Sequence, residues 1–392
     1  MMRLALLALA TVVTDQILLH TLLADDLFMK KRVAPFDPPV FNETQALRLQ
    51  KLRDLVAKGR QGDSSMDVDL GWCPRPGRKK EFEYDWSGSL LFEQPLAKEK
   101  DPQRTRIAVV GCSFARGDEV APADSWAGRL AREHEEIEIA NLGMGGYGID
   151  QSFLRWRRDA QPLDPDQVWL IVMPTALMRI TTQFPPIQNH WTAIITLKPC
   201  FTLASDGSLV LHKMPAQSIA EEVALLDDQA AYLERLGARD MWIQRLPAAY
   251  APHGSHWLHA TALGRLALTW LDQQERDAGE WIGDSTHDVH KLALAILKTM
   301  HQEVSQTGSQ LRVLVLPSRK DLQQREEAGG KAYWDELFAA LSVEGCEVFD
   351  ASEALQQRSI AGDDDCWMPG GHYSPKANAM VAEIVKSSWL TE

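Results

Sequence analysis

Residues 106–114, Arg-Ile-Ala-Val-Val-Gly-Cys-Ser-Phe, join an apolar run to a glycine and a serine. The run Ile107 to Val110 is typical of a buried parallel strand, which ends at Gly111. Ser113 follows two positions later, where a sharp turn can present a small nucleophile. Because sites in open α/β sheets lie outside the carboxyl ends of the strands, Ser113 is the first candidate site residue, with a plain helix cap as the alternative.

Four further short apolar runs contain Val or Ile and resemble the first. Together the five runs predict strands at 106–111, 136–141, 168–173, 311–316 and 346–350. Helical patterns lie between and after them, at 125–133, 151–158, 286–305, 332–341 and 374–389. This alternation predicts an α/β fold, in which helices cover both faces of a parallel sheet.

Changes in composition divide the chain into three parts. Residues 25–104 hold a Pro-rich joint, a helix opened by a capping box at Asn42–Gln45, and an irregular polar stretch. Residues 105–392 hold the sheet, with a mainly helical insert at about 180–284. Within the insert, Asp206-Gly207 predicts the turn of a hairpin, and the capping box at Ser218–Glu221 predicts a long helix.

The first part, residues 1–24, predicts a membrane anchor or a signal segment. It is apolar from residue 4 onward and long enough to span a bilayer, although Asp15, Gln16 and His20 interrupt it. We therefore expect a membrane-anchored protein whose folded part is periplasmic or otherwise extracytoplasmic. The basic run Lys30-Lys31-Arg32 favours the opposite orientation, because positive charge stays on the cytoplasmic side. An amphipathic helix packed on the folded chain is the alternative.

Charge and cysteine content exclude several classes of protein. The 392 residues include 41 Lys and Arg against 54 Asp and Glu, a net charge of −13, which argues against a nucleic-acid partner. The five cysteines form no Cys-x-x-Cys pair, so a zinc ribbon is excluded. His253, His256 and His259 are spaced by three, but no nearby acidic residue repeats the pattern. We expect no metal and no organic cofactor.

Polar residues also follow the other predicted strands. Asn141 to Gly148 includes four glycines, which let the backbone approach a ligand closely. Thr175 and Arg179 follow the third strand, and His372 follows the fifth. A serine, a histidine and backbone N–H donors at one edge of a sheet are what acyl transfer needs: a nucleophile, a base and donors for an oxyanion.

These residues resemble the SGNH/GDSL hydrolase family. The resemblance covers about 105–179 and 309–388 and is strongest at 107–114, 141–151 and 371–382. It implies a flavodoxin-like three-layer α/β/α sandwich with a five-stranded parallel sheet. Two further stretches, Leu70-Gly71-Trp72 and Lys198-Pro199, look like bacterial members with one amino-terminal hydrophobic segment, several of which accompany surface-polysaccharide synthesis.

The resemblance also implies roles for single residues. Ser113 matches the nucleophile and His372 the base that takes its proton. The N–H groups of Ser113 and Gly146 match two donors of the oxyanion hole. Thr175 stands where the family has an asparagine as third donor; one such donor contributes about 10²–10³ in rate. The Thr175 hydroxyl can replace part of that contribution.

Two other positions depart from the family pattern. Cys112 replaces the usual aspartate before the serine; it is interpreted as a small buried side chain, with a cysteine nucleophile as the alternative. Pro369 replaces the aspartate that usually orients the histidine. Asp364 or Asp365 is a candidate to orient His372 instead, although a backbone carbonyl can also hold the ring, and a solvated turn explains the acidic run as well.

The sequence therefore predicts an SGNH-type ester hydrolase that acts on a small acyl ester, such as an O-acetyl group of a glycan. Two alternatives remain. One is an O-acyltransferase on the same scaffold. The other is a catalytically degenerate member that binds a glycan or a protein without turnover.

Overall fold

The structure is a computed structural model. It describes residues 2–23, 27–28, 31–35, 43–60, 65–79, 82–189, 192–237, 240–245, 249, 257–274 and 278–390. The chain forms two compact units. The first comprises Met1–Ser64, Thr181–Leu197 and Pro215–Asp277, and the second comprises Ser65–Ile180, Lys198–Met214 and Ala278–Glu392. The insert expected at about 180–284 is thus shared between the units.

The second unit is built on the predicted parallel sheet. Its strands are β1 (Thr105–Gly111), β2 (Ile137–Asn141), β3 (Gln167–Val172), β4 (Gln310–Val315) and β5 (Glu347–Asp350). The spatial order is β5-β4-β3-β1-β2, and every pairing is parallel. This is the flavodoxin-like order, and it confirms the predicted α/β fold. The strand bounds differ from the predicted ones by about one residue.

The register places the carboxyl ends of the central strands at one edge. Val109 of β1 pairs with Asn141 at the end of β2, and Gly111 of β1 pairs with Ile171 near the end of β3. The segments that follow these strands therefore leave the sheet side by side. Ser113 is in the first of these segments.

Helices cover both faces of the sheet, as the alternating pattern predicted. Alternate residues of β1, including Ile107 and Val109, share an apolar cluster with helices Trp126–Glu133 and Pro375–Val385. The other layer consists of three helices that contact β1, β4 and β5, respectively: Ile149–Arg155, Asp288–Gln306 and Asp335–Val343. The sandwich has three layers.

Smaller elements complete the second unit. Three short antiparallel pairs join Met66–Asp67 to Gly71–Trp72, Gly77–Lys79 to Phe82–Tyr84, and Cys200–Leu203 to Leu209–His212. The last pair is the predicted Asp-Gly hairpin. Four short helices lie at Ser113–Arg116, Ala278–Gly283, Arg319–Glu327 and Ser352–Gln357. The last two were not predicted, because both are mostly polar and lack a clear apolar repeat.

The first unit is mainly helical in its described part, with one short antiparallel pair that joins Leu27–Phe28 to Lys31–Arg32. Its helices are Met2–Thr21, Glu43–Ala57, Pro185–Gln188, Ile219–Asp227, Gln229–Gly237, Met241–Arg245 and Ala262–Gln274. The Ser218 hydroxyl accepts a hydrogen bond from the Glu221 N–H at 3.2 Å, as the capping box predicted. The predicted long helix is nevertheless two helices, because the first ends at Asp227. Asn42, the expected cap of the helix Glu43–Ala57, lies outside the described residues.

The amino-terminal helix Met2–Thr21 packs on helix Ala262–Gln274. The buried carboxylate of Asp15 accepts hydrogen bonds from the N–H groups of Ala262 and Leu263, at 3.0 Å and 2.9 Å. These contacts are those expected of the alternative, a helix packed on the folded chain. No helix among the described residues combines the length and apolar character needed to cross a membrane. Lys30 of the basic run lies outside the described part of the chain.

Candidate active site

Ser113 stands directly after β1 on a turn that requires glycine. Gly111 has φ of 151°, and a Cβ atom added there would lie 2.6 Å from the carbonyl oxygen of Ile171. Ser113 then opens the four-residue helix Ser113–Arg116, which Gly117 closes in the left-handed region. The turn presents Ser113 at the carboxyl edge of the sheet, where the sequence predicted it. Its side chain is only 6% exposed.

The glycine-rich loop after β2 is tied to the segment that carries Ser113. The Met144 N–H donates to the Gly111 carbonyl at 3.0 Å, and the Asn141 side chain donates to the Ala115 carbonyl at 2.8 Å. Gly143 lies so close to Arg116 that a Cβ atom there would be 2.7 Å from its backbone nitrogen. The loop and the serine turn are therefore held together by backbone contacts.

Met144 to Tyr147 form a type II turn. The Tyr147 N–H donates to the Met144 carbonyl at 3.2 Å, and Gly146, the third residue, has φ of +85°. Within the described residues, neither the Gly146 N–H nor the Ser113 N–H donates to a protein acceptor. Both donors thus remain available to a substrate oxygen, as an oxyanion hole requires.

Thr175 lies in the 3-10 segment Pro174–Thr181 that follows β3. Its side chain is partly buried, and its hydroxyl makes no hydrogen bond within the described part of the chain. Arg179 of the same segment donates to the Tyr147 carbonyl at 2.9 Å, so the segment contacts the glycine-rich loop. Arg179, for which the sequence favours a surface or packing role slightly over substrate contact, supports this loop.

His372 lies beside the serine turn although it comes from the far end of the chain. Its imidazole packs on the ring of Phe114, the residue after Ser113, with 5.4 Å between the ring centroids. No hydrogen bond joins the Ser113 hydroxyl to His372 in this structure. Such bonds are often long without substrate and tighten when it binds. The histidine therefore packs on the residue that follows the predicted nucleophile.

A carboxylate that the sequence did not identify holds the histidine. Oε2 of Glu119 lies 2.5 Å from Nδ1 of His372 and accepts from the His372 N–H at 3.3 Å, while Oε1 accepts from the Gly370 N–H at 2.8 Å. Burial raises the pKa of Glu119, but the hydrogen bonds from His372 and Gly370 outweigh it, so the pKa lies below its ordinary value. Glu119 is therefore ionised at neutral pH.

The backbone at Glu119 is unusual. Its φ is +69°, in the left-handed region that disfavours a non-glycine residue by about 1–2 kcal/mol. A strained conformation of this kind persists where surrounding contacts maintain it, and such residues cluster at functional sites. The three hydrogen bonds to the segment Gly370–His372 are contacts of this kind.

Asp364 and Asp365, the candidate orienting residues, do not contact the histidine ring. Asp364 forms an exposed ion pair with Arg319 at 2.6 Å. Asp365 contributes backbone groups only: its carbonyl accepts from the Ser374 hydroxyl at 2.6 Å. The orienting prediction is corrected to Glu119. The spacing of residues could not identify Glu119 in advance. Its one signal in the sequence is that it is a carboxylate in the polar turn after Ser113.

Cys112 occupies the position expected of a small core residue. It is 2% exposed and belongs to the apolar cluster beneath one face of the sheet. His253 and His256 of the weak metal pattern lie outside the described residues. Within the described ranges, no group of three or more His, Cys, Asp or Glu side chains is arranged to hold a metal ion.

The arrangement suits acyl transfer. The short segment that carries the serine packs on a histidine whose Nδ1 faces a carboxylate, and two backbone N–H groups with no acceptor among the described residues lie at the same edge of the sheet. The carboxylate at Nδ1 fixes the tautomer in which Nε2 is free to take a proton. A substrate carbonyl at this edge would meet a nucleophile, a base and oxyanion donors.

No family model and no curated protein matches the sequence. Among the solved structures that it resembles is a catalytic mutant of an acetylxylan esterase from Geobacillus stearothermophilus. The two sequences are 10% identical, the match covers 76% of this chain and 98% of the esterase chain, and the TM-score is 0.38. Another is a member of the lipolytic protein G-D-S-L family from Veillonella parvula DSM 2008, with 12% identity, 74% and 100% covered, and a TM-score of 0.36. A third is an alpha/beta hydrolase enzyme from the metagenome of Lake Arreo, Spain, with 12% identity, 72% and 94% covered, and a TM-score of 0.37.

The fold can be named from the chain itself. The sheet order is flavodoxin-like, the serine follows the first strand, and the histidine meets a carboxylate at the same edge. The second unit therefore has the flavodoxin-like three-layer α/β/α fold that the sequence resemblance implied.

Proposed function

We propose that the protein is a serine ester hydrolase acting on a small acyl ester, with Ser113 as nucleophile and His372 as base. The observation that carries the proposal is the pairing of His372 with Glu119 beside the serine turn. A surface histidine with no partner would serve as a weak base of uncertain tautomer. A histidine held through Nδ1 has its other nitrogen available to the serine.

The reaction proceeds in two halves. The Ser113 oxygen attacks the ester carbonyl carbon while Nε2 of His372 takes its proton, and the carbonyl oxygen becomes an oxyanion. The N–H groups of Ser113 and Gly146 donate to that oxyanion, with the Thr175 hydroxyl as third donor. The ester C–O bond then breaks, and the imidazolium returns its proton to the leaving alcohol.

The second half releases the acyl group. Water attacks the acyl-enzyme while His372 takes a proton from it, the Ser113–acyl bond breaks, and the imidazolium returns that proton to the Ser113 oxygen, which gives a carboxylic acid and free enzyme. Glu119 stabilises the imidazolium that forms in both halves. No metal and no organic cofactor takes part. The acyl group is proposed to be small, such as the O-acetyl group of a glycan, on the family resemblance alone.

A comparison of variants tests the proposal. Hydrolysis of an aryl acetate and an aryl butyrate should fall to background in Ser113→Ala and His372→Ala. A fluorophosphonate probe should label the unaltered protein and leave Ser113→Ala unlabelled. Cys112→Ala is the matched control and should retain activity, because the neighbouring thiol is buried in the core. Loss of labelling in Cys112→Ala alone would identify the cysteine as nucleophile.

Two outcomes would replace the proposal. Equal background rates in all forms, with glycan binding retained, would identify a binding module without turnover. Transfer of the acyl group to an added sugar in preference to water, still dependent on Ser113, would identify an acyltransferase.

A further inference from the structure

Trp72 of the short strand Gly71–Trp72 is joined to the proposed oxyanion loop by two hydrogen bonds. Its indole N–H donates to the Gly145 carbonyl at 3.0 Å. The Tyr147 hydroxyl in turn donates to the Trp72 carbonyl, and the two rings pack edge to face at 5.6 Å. Trp72 is 4% exposed. The Leu70-Gly71-Trp72 stretch noted in the sequence therefore lies against the loop that carries Gly146.

This contact determines the direction of the Gly146 N–H. Gly145 C=O and Gly146 N–H belong to one planar trans peptide, so the two groups point in opposite directions. Because the Gly145 carbonyl is held towards Trp72, the Gly146 N–H points away from Trp72. The same N–H has no protein acceptor within the described residues.

The fixed peptide is the one that most easily rotates. It is the central peptide of the turn Met144 to Tyr147, and type I and type II turns differ by a flip of that peptide. Gly145 and Gly146 lack side chains that would oppose such a flip. A hydrogen bond to the Gly145 carbonyl therefore selects the type II turn over the type I turn.

We propose that Trp72 is a positioning residue that locks the Gly145–Gly146 peptide so that the Gly146 N–H is preorganised as an oxyanion donor. This inference rests on the proposed function, because an oxyanion forms only if Ser113 attacks an ester. Trp72, in the part of the chain before the sheet, would thus contribute to catalysis through its hydrogen bond to the Gly145 carbonyl. A packing role alone would depend on the ring and not on its N–H.

Trp72→Phe separates the two roles, because phenylalanine retains an aromatic ring but has no N–H. We expect kcat for an aryl acetate to fall by about 10- to 100-fold, less than the loss of a whole donor. KM should change less than twofold, since the ground-state ester makes weaker use of the donor. Inhibition by an arylboronic acid, whose tetrahedral adduct mimics the oxyanion, should weaken by the same factor as kcat.

Trp86→Phe is the matched control. Its indole N–H donates to the Leu96 carbonyl at 2.8 Å and not to the loop, and the residue belongs to the same part of the chain before the sheet. This variant should retain kcat and boronate affinity. Equal effects of the two substitutions, or a lower kcat with unchanged boronate affinity in Trp72→Phe, would overturn the positioning role.

A structural measurement separates this inference from the proposed function. The amide resonance of Gly146, followed by nitrogen-15 NMR, should shift or broaden in Trp72→Phe and stay unchanged in Trp86→Phe. An unchanged Gly146 resonance in Trp72→Phe would refute the lock whether or not the protein is an esterase. A shifted resonance in a protein that no fluorophosphonate labels would instead refute the esterase function and, with it, the catalytic role of Trp72.

Discussion

Nδ1 of His372 lies 2.5 Å from Oε2 of Glu119, although 253 residues separate the two in the chain. Glu119 comes six residues after Ser113, within the turn that leaves the first strand. The proposed nucleophile and the carboxylate therefore belong to one short segment, and only the histidine comes from elsewhere. The carboxylate also accepts from the Gly370 and His372 N–H groups, so it holds the histidine loop as well as the ring.

Replacing Glu119 by glutamine should lower kcat by about 10²–10⁴ with little change in KM. Glutamine keeps the shape of the side chain but loses the charge that stabilises the imidazolium and selects its tautomer; the corresponding change in serine proteases costs about 10⁴. Steady-state kinetics on an aryl acetate measure the loss. Asp364→Asn and Asp365→Asn are controls that should stay within twofold. A larger loss in either control than in Glu119→Gln would return the orienting role to the acidic run.

Gly111→Ala should destabilise the second unit by at least about 2 kcal/mol. The new Cβ would lie 2.6 Å from the Ile171 carbonyl oxygen, so β1 and β3 must separate, and φ of 151° adds backbone strain. Gly308→Ala is the control: its φ of +83° carries strain, but no atom lies within 4 Å of an added Cβ, so a loss of about 1 kcal/mol is expected. Denaturant unfolding compares the two, and equal losses would contradict the steric argument.

Lys198→Met should cost about 3–5 kcal/mol of stability. The Lys198 ammonium pairs with the carboxylate of Asp150, and both side chains are at most 1% exposed, so the substitution leaves a buried charge without its partner. Adding Asp150→Asn should recover part of the loss. Lys376→Met removes a surface pair with Asp363 and should cost at most about 1 kcal/mol. Thermal unfolding measures all three, and a loss in Lys198→Met no greater than in Lys376→Met would contradict the prediction.

The stability of the first unit should fall as pH rises from about 4.5 to about 7. Burial raises the pKa of Glu222 to about 7, against a weaker opposing hydrogen bond from the Leu197 N–H. Between the unfolded and folded pKa values the folded state binds more protons than the unfolded state, so raising the pH favours unfolding, by roughly 1–3 kcal/mol. Asp240, whose pKa burial raises to about 6, acts in the same direction.

Glu222→Gln should remove about half of this pH dependence, because Asp240 supplies the remainder. Unfolding midpoints measured at pH 5 and pH 8 should differ less in Glu222→Gln than in the unaltered protein. Glu221→Gln changes the adjacent exposed carboxyl and should leave the difference intact. A pH dependence that survives undiminished in Glu222→Gln and disappears in Glu221→Gln would show that the buried carboxyl is not its source.

The sheet could be predicted because its strands are buried on both faces. Runs such as Ile107 to Val110 are continuous and apolar, and their order along the chain with helices between them leaves few topologies. Helix Arg319–Glu327 escaped prediction because its stability comes from the capping box of Ser318 and Asp321 and from few buried side chains. A local sequence pattern predicts a strand or a helix when buried apolar residues recur along it in a regular way. It fails when they do not, as in helix Arg319–Glu327.

The site was predictable only in part, for a related reason. Ser113 and Gly146 lie in glycine-marked turns, and Gly371 and His372 in a third, so their residue types and order carry a signal. Glu119 carries none, because its role depends on a contact made only after folding. The contact between Asp15 and helix Ala262–Gln274 is likewise tertiary and carries no signal in the sequence of helix Met2–Thr21.

The carboxylate that faces His372 comes from the turn after Ser113, and this position matters when related sequences are sought by their motifs. A search that demands an aspartate three residues before the histidine would discard this chain, where Pro369 stands at that place. Glutamate six residues after the serine is the alternative signature to look for. Under the proposed mechanism, sequences with that glutamate and no acid beside the histidine keep the orienting carboxylate at another position, whereas those that lack both have none.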